Sequence, residues 1–143
     1  MSSTTKSPRG GSDRRHARSA SPYEGEIGFS RAVRIGDRIV VAGTAPIAAD
    51  GTPVTGDAYS QAHRCLEIIV AAIEELGGTT ADVVRTRMFL TQADDWREVG
   101  RAHGDFFRGV DPAATMVVVK ELLDPGWRVE IEAEAVVAPE GAC

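Results

Sequence analysis

The 143-residue chain has few cysteines, few aromatic residues and no long apolar run. Its two cysteines are Cys65, inside an apolar helical pattern, and Cys143, the last residue, so neither a disulfide nor a cysteine-based zinc site is expected. No apolar run approaches the roughly 18 residues that a membrane span requires, and no hydrophobic segment follows the positive charges near the N-terminus. We therefore expect a cytoplasmic protein that is neither secreted nor inserted in a membrane.

Charge is distributed unevenly along the chain. Residues 1–22 hold five basic residues and one acidic residue (+4), whereas the other 121 residues hold 11 basic and 20 acidic residues (−9). The first segment is rich in Ser, Gly, Pro and Arg and nearly lacks apolar residues, which predicts a disordered basic tail over 1–22. A solvated leader is the simplest interpretation, and a transit peptide or a nucleic-acid-binding arm are the alternatives.

Hydrophobic periodicity predicts one domain over 23–138, followed by a short C-terminal tail over 139–143. Asp57 is the expected N-cap of the longest helix, and Gly77 and Gly78 end it. The order of elements is ββαβαββ, which indicates an α+β fold with two helices on one face of a single sheet. The predicted elements are a hairpin within 30–42, helices over 58–76 and 94–107, and strands over 83–91, 115–119 and 128–137.

The other face of this sheet is predicted to be polar. Glu130, Glu132 and Glu134 alternate with apolar residues on the last strand, and Arg85 and Arg87 share one face of the third strand. If the two strands are neighbours, these charges form cross-strand pairs. Two interpretations stay open: a solvated sheet face, or a wet interface with another copy of the chain.

Among motifs of general chemistry, the sequence has no glycine-rich phosphate loop, no His-Glu-x-x-His and no nucleophile elbow. His63 lies on the polar side of the longest helix, where a solvated surface role is expected. His103 lies among aromatic residues of the next helix, where a partly buried structural role is expected ahead of a general base.

Five consecutive segments resemble the Rid (YjgF-like) family, and together they extend over about residues 25–138. The resemblance implies a chorismate-mutase-like fold with a single mixed sheet, assembled as a homotrimer with sites between subunits. The segments are GFSRAVRIGD at 28–37, VAGTAP at 41–46, DVVRTRMFLT at 82–91, PAATMV at 112–117 and VEIEA at 129–133.

The resemblance also implies an activity without a cofactor or a metal. Characterised deaminases of this family hydrolyse reactive imines or enamines, such as those released from amino acids by pyridoxal-phosphate enzymes, to 2-oxo acids and ammonia. By resemblance, Glu130 is the catalytic residue that positions water. The arginine that holds a substrate carboxylate in these enzymes corresponds to Ala114, and Phe29 stands where an aromatic hydroxyl is often found. The chain is thus identified as a divergent member that lacks the carboxylate-binding arginine.

The remaining candidate residues also follow from the resemblance, with Arg87 or Arg31 as hypothetical replacements for the missing cation. The residues expected to contact a small-molecule substrate are Phe29, Ser30, Gly43, Thr44, Arg87, Ala114 and Thr115.

Three function classes follow from these observations. The first is a Rid-type hydrolase of divergent specificity that acts on a small imine, enamine or related metabolite. The second is a non-catalytic trimer that binds a small ligand or regulates a partner, which the missing arginine favours. The third, an endoribonuclease or translation inhibitor, is disfavoured because the chain outside the basic tail is strongly acidic.

Overall fold

A six-stranded sheet with the two long helices on one face forms the fold of the protein. The structure is a computed structural model that describes residues 14–139. Single 3₁₀ turns occur at Thr80–Asp82 and Ala93–Asp95. The elements are β1 (Arg14–Ala17), α1 (Tyr23–Ile27), β2 (Ala32–Ile35), β3 (Arg38–Thr44), α2 (Ala58–Glu75), β4 (Val83–Leu90), α3 (Trp96–Phe107), β5 (Ala113–Val118) and β6 (Val129–Val136).

The strand order is β1-β2-β3-β6-β4-β5. β4 and β5 are parallel, because α3 connects them as a crossover, and every other pair is antiparallel. The predicted α+β class and single mixed sheet are therefore confirmed, although the predicted order lacked β1 and the short α1. None of the helices within residues 14–139 is long and apolar enough to cross a bilayer.

β1 corrects the predicted extent of the disordered tail. Residues 14–17 form an edge strand, in which Arg14 pairs with Ile35 and Ala17 with Ala32. Ala17 is fully buried, and the Arg15 guanidinium donates a 3.3 Å hydrogen bond to the carbonyl of Leu76 at the end of α2. A strand as short as β1 can dock on the sheet by burying a single alanine, so the composition of residues 14–17 does not reveal the strand. Residues 1–13, for which disorder was predicted, and residues 140–143 of the predicted C-terminal tail lie outside the residues that the structure describes.

The core lies between the sheet and the helices α2 and α3. The inward side chains of β6 are Val129, Ile131, Ala133 and Ala135, and each is at most 2% exposed. They pack in one cluster with the apolar faces of both long helices, which include Leu66, Ile69, Val99 and Phe107. The strict alternation of β6 thus has the meaning predicted from the sequence: one apolar face in the core and one row of glutamates outside it.

The predicted charge pairing across β4 and β6 is confirmed. Arg85 lies opposite Glu134, and Arg87 lies opposite Glu132. The Arg87 guanidinium is 2.9 Å from a Glu132 carboxylate oxygen and 3.4 Å from one of Glu134, which Arg38 of β3 contacts at 3.1 Å. These partly exposed pairs are worth about 0.2–1 kcal/mol each, so they align three strands more than they stabilise the fold.

Ala17→Glu is expected to detach β1, because it places an unpaired carboxylate at a fully buried position. The Arg31 amide, which donates to the carbonyl of Ala17 over 2.8 Å, should lose protection from hydrogen exchange. We expect the free energy of unfolding, measured in urea, to fall by about 2 kcal/mol. The loss cannot exceed the free energy that the docking of β1 contributes.

Arg14→Glu is the matched control for this prediction, because Arg14 lies on the exposed side of the same strand. The control should keep the protection of the Arg31 amide. Equal exchange in the two variants would show that β1 is not docked as described.

Candidate functional site

A cavity of about 80 Å³ lies beside the first glutamate of β6, under the segment that contains α1. β6 and the end of β3 form its floor, and residues 21–31 and 123–127 form its walls. The cavity is partly enclosed, and its volume is below the roughly 300–1,000 Å³ of typical ligand pockets, so one chain accommodates only a very small molecule here. The residues that line it are Ser21, Tyr23, Ile27, Phe29, Arg31, Gly43, Ala45, Ile47, Leu123, Trp127 and Glu130.

Glu130 lies directly against the backbone of Gly43. A Cβ atom at position 43 would be 2.5 Å from Oε2 of Glu130, which is closer than carbon and oxygen can approach. The pairing of β3 with β6 is irregular here, between Val41 and Thr44. A glycine in this irregular stretch leaves the space that the carboxylate occupies.

The environment of Glu130 opposes its ionisation. Burial raises the pKa of this carboxyl group above its ordinary value; the nearby Glu132 raises it further, and Arg31 acts in the opposite direction. A carboxyl group with a raised pKa can hold and release a proton closer to neutral pH than an exposed glutamate.

Arg31 is the buried cation of the cavity. Its side chain is only 3% exposed, and its guanidinium donates a 2.8 Å hydrogen bond to the carbonyl of Gly43. Burial lowers the pKa of Arg31, which Glu24 and Glu130 counteract, and an arginine stays charged throughout the ordinary pH range. Its Nε has no hydrogen-bond acceptor among residues 14–139. Arg31 therefore fixes the same backbone carbonyl group that adjoins Glu130.

Glu24 of α1 balances the charge of Arg31. Its carboxylate lies 3.8 Å from Arg31 Nε, and its side chain is 4% exposed. The backbone amide and the hydroxyl group of Ser19 both donate to this carboxylate. The segment before β2 is thereby tied to the site by a buried ion pair with hydrogen-bond support.

Trp127 and Tyr23 form the apolar wall of the cavity. Their rings meet edge to face, with centroids 6.3 Å apart. The indole Nε1 of Trp127 is buried and has no acceptor within the described part of the chain. A ligand with an acceptor atom would satisfy this donor, since a buried N–H group without a partner is unfavourable.

Three of the predicted site residues come together in this cavity: Phe29, Gly43 and Glu130. Arg31 joins them, as one of the two hypothetical replacement cations, and Glu24, Tyr23 and Trp127 were not predicted. Arg87, the other replacement, is engaged by Glu132 and Glu134 on the outer sheet face.

The other predicted contacts lie elsewhere in the single chain. The Ser30 hydroxyl group is 2.7 Å from Nδ1 of His16, and the buried Thr44 donates to the carbonyl of Ala42. Ala114 and Thr115 are exposed on the edge strand β5, which β4 separates from β6. One chain alone therefore does not bring them to Glu130.

His63 and His103 lie outside the cavity, in the environments expected for them. His63 is partly exposed, 3.4 Å from Glu67, and its ring contacts Phe106. Nε2 of His103 is 2.8 Å from the hydroxyl group of the buried Thr86, and burial lowers the pKa of this histidine.

The chain is similar to proteins of one family along most of its length. A family model described as Endoribonuclease L-PSP matches residues 20–137. An uncharacterized protein of Streptomyces coelicolor is 40% identical over 121 residues, which are 85% of this chain and 90% of that protein.

Two further relatives agree. A RutC family protein of Pyrococcus abyssi is 34% identical, over 78% of this chain and 87% of the relative. The crystal structure of a YjgF/YER057c/UK114 family member from Mycobacterium tuberculosis superposes with a TM-score of 0.80 at 42% identity, over 87% of this chain and 100% of the other.

Glu130→Gln is expected to stabilise the fold at neutral pH. Because burial raises the pKa of Glu130 in the folded protein, the folded state binds this proton more tightly than the unfolded state. Protonated Glu130 therefore stabilises the folded state of the natural chain. This contribution is complete below the pKa of Glu130 in the unfolded chain and is lost as the pH rises through its pKa in the folded protein. The urea midpoint of the variant relative to the natural chain should thus be higher at about pH 8 than at about pH 5.

Glu132→Gln is the control, since this glutamate is on the same face of β6 and is paired with Arg87. It should not gain stability as the pH rises. A Glu130→Gln variant with the same pH profile as the natural chain would contradict the assigned environment of Glu130.

Proposed function

Because the chain belongs to the endoribonuclease L-PSP family, that is, the YjgF/RutC family, we propose that it hydrolyses a small imine or enamine in the cavity beside Glu130. The observation that carries this proposal is the Glu130 carboxyl group. It is buried against the backbone of Gly43, has a raised pKa, and faces a cavity of about 80 Å³.

In the proposed reaction, Glu130 orients a water molecule and accepts its proton as the oxygen attacks the carbon of the protonated imine. The new C–O bond forms as the π pair of the C=N bond moves to nitrogen, which gives a neutral carbinolamine, and Glu130 then returns its proton to the amino group. The C–N bond breaks as the hydroxyl oxygen forms the C=O bond, and the hydroxyl proton passes through Glu130 to the departing ammonia. The products are a carbonyl compound and ammonium. A base with a pKa nearer to neutrality is well suited to taking and returning a proton in this way. No oxidant, reductant or cofactor is required by this balance.

One other feature supports a small ligand with a polar acceptor atom. Trp127 lines the cavity, and its buried Nε1 donor has no acceptor among residues 14–139. A ligand or water molecule that accepts from this donor would remove the cost of burying it unpaired.

A homotrimer with sites between subunits is part of the proposal. The outer sheet face exposes apolar side chains between its charged pairs, among them Ile35 and Val40. Ala114 and Thr115 are exposed on the adjacent edge strand β5. A second copy packed on this face would bury the apolar residues and bring its own β5 near a neighbour's cavity.

The second candidate function is non-catalytic binding of a small ligand in the same cavity, with regulation of a partner. The presence of Ala114 where an arginine holds the substrate carboxylate in active relatives favours it. Ligand binding without turnover distinguishes this candidate from the hydrolase. Cleavage of RNA would instead support the activity that gives the family model its description. For either candidate, the buried thiol of Cys65 supports a cytoplasmic location.

Glu130→Gln should lower the rate of imine hydrolysis by about a hundredfold or more, because it removes the proton acceptor. The measurement is ammonia release from imines generated in situ by flavin oxidases from a panel of amines and amino acids. In the natural chain, activity should fall as the pH decreases through a pKa above that of an ordinary glutamate, because Glu130 must be ionised to accept a proton.

Glu132→Gln serves again as the control and should retain most of the activity. Full activity of Glu130→Gln would exclude the proposed mechanism. Binding of an imine product or analogue by the natural chain, with no turnover of any imine, would favour the second candidate.

Gly43→Ala should lower activity by about tenfold or more, because its Cβ would displace the Glu130 carboxylate. Gly100→Ala in α3 is the control, since a Cβ there meets no atom within 4 Å. Both variants should remain folded by circular dichroism. Equal activity of the two variants would show that the position of the Glu130 carboxylate is unimportant.

A further inference from the structure

The cavity of one chain contains no uncompensated positive charge among its described residues. Arg31 is the cation in its wall, and Glu24 lies 3.8 Å behind the guanidinium with both side chains almost fully buried. This ion pair is neutral as a unit. Glu130 is the one carboxyl group among the described residues that line the cavity, so the site carries no net charge when Glu130 is protonated and one negative charge when it is ionised.

The other arginines near this segment are turned to a different surface. Arg18 and Arg64 line a groove between residues 18–20 and α2, which Arg31 also lines and Glu130 does not. Arg64 donates to the carbonyl of Ile47 and to Glu67. Neither lines the cavity beside Glu130. A neighbouring copy that contributed its β5 would bring Ala114, which has no charge to offer.

The mouth of the cavity is apolar. Ile27 is 63% exposed and Leu123 is 75% exposed, although both are large hydrophobic residues, and both line the cavity. Phe29 and Ile47 continue this apolar surface inward. An apolar substituent of a ligand would gain burial at these side chains.

We propose that the natural substrate is a small imine or iminium ion that has no carboxylate and carries an apolar substituent. The inference rests on the proposed hydrolase function and names its substrate class. A protonated imine is attracted to the ionised Glu130, whereas a carboxylate beside it would be repelled and would find no free cation. The reaction converts the iminium ion and water to an aldehyde or ketone and ammonium, with one C–O bond formed and one C–N bond broken. Oxidation of a primary amine is the class of reaction that supplies such a substrate.

A matched pair of substrates tests this proposal. Leucine with an amino acid oxidase gives an imino acid, and isoamylamine with an amine oxidase gives the imine with the same side chain and no carboxylate. With catalase present, the acceleration of ammonia release over the spontaneous reaction is measured for each. We expect the natural chain to accelerate hydrolysis of the carboxylate-free imine at least about tenfold more than that of the imino acid.

Two variants test the electrostatic reason. Ala114→Arg supplies a cation at the position of the family's arginine, and Glu24→Gln leaves Arg31 without its balancing charge while the cavity wall itself is unchanged. Each should shift the preference toward the imino acid by about tenfold. Because Ala114 is exposed on β5, Ala114→Arg keeps the test valid if Glu24→Gln, which leaves a buried cation without its partner, fails to fold.

The outcomes separate this inference from the function on which it rests. A natural chain that prefers the imino acid overturns the inference and leaves the hydrolase function standing. If the natural chain accelerates neither reaction and Glu130→Gln gives the same rates, both the inference and the hydrolase function are overturned. If the natural chain prefers the carboxylate-free imine and neither variant changes this preference, the electrostatic explanation of the preference is refuted.

Discussion

β6 is the constraint on which both the fold and the site depend. It lies between β3 and β4, and its inward side chains, such as Ile131 and Ala133, form the centre of the core. The same alternation places Glu130 and its neighbours on the opposite face. A shift of one residue in the register would put carboxylates in the core, so packing fixes where Glu130 lies with respect to Gly43. The precision of the site is therefore a consequence of hydrophobic burial elsewhere along the same strand.

The buried charge of Arg31 joins the N-terminal segment to this frame. A guanidinium that is nearly free of solvent contact requires a partner, and Glu24 supplies it from α1 while Gly43 supplies a carbonyl group. The backbone of Arg31 also links β1 and β3, because its amide donates to Ala17 and its carbonyl accepts from Ala42. Arg31 thus holds the segment that closes the cavity, and its charge is balanced by Glu24 of the same segment.

The sequence predicts those features that depend on local period and on pairing along a strand. The alternation around Glu130 predicted β6 and its charge pairing with Arg87, and the resemblance drew attention to Gly43. The ion pair of Arg31 with Glu24 was not predicted, because its members come from a loop and a five-residue helix whose approach depends on tertiary packing. β1 was missed for a related reason: its docking depends on the burial of Ala17 against β2, a contact that the composition of a basic segment does not reveal.

The electrostatics of the cavity agree with the presence of Ala114 at the position where the family resemblance implies an arginine. In an enzyme that binds a carboxylate, an arginine supplies the charge-assisted hydrogen bonds that offset the repulsion from a catalytic carboxylate. Here Arg31 is already balanced by Glu24, and position 114 has only a methyl group. An anionic ligand would therefore meet Glu130 without compensation, and it would also raise the pKa of that group further. A neutral ligand avoids this repulsion, and a cationic ligand is attracted to the Glu130 carboxylate.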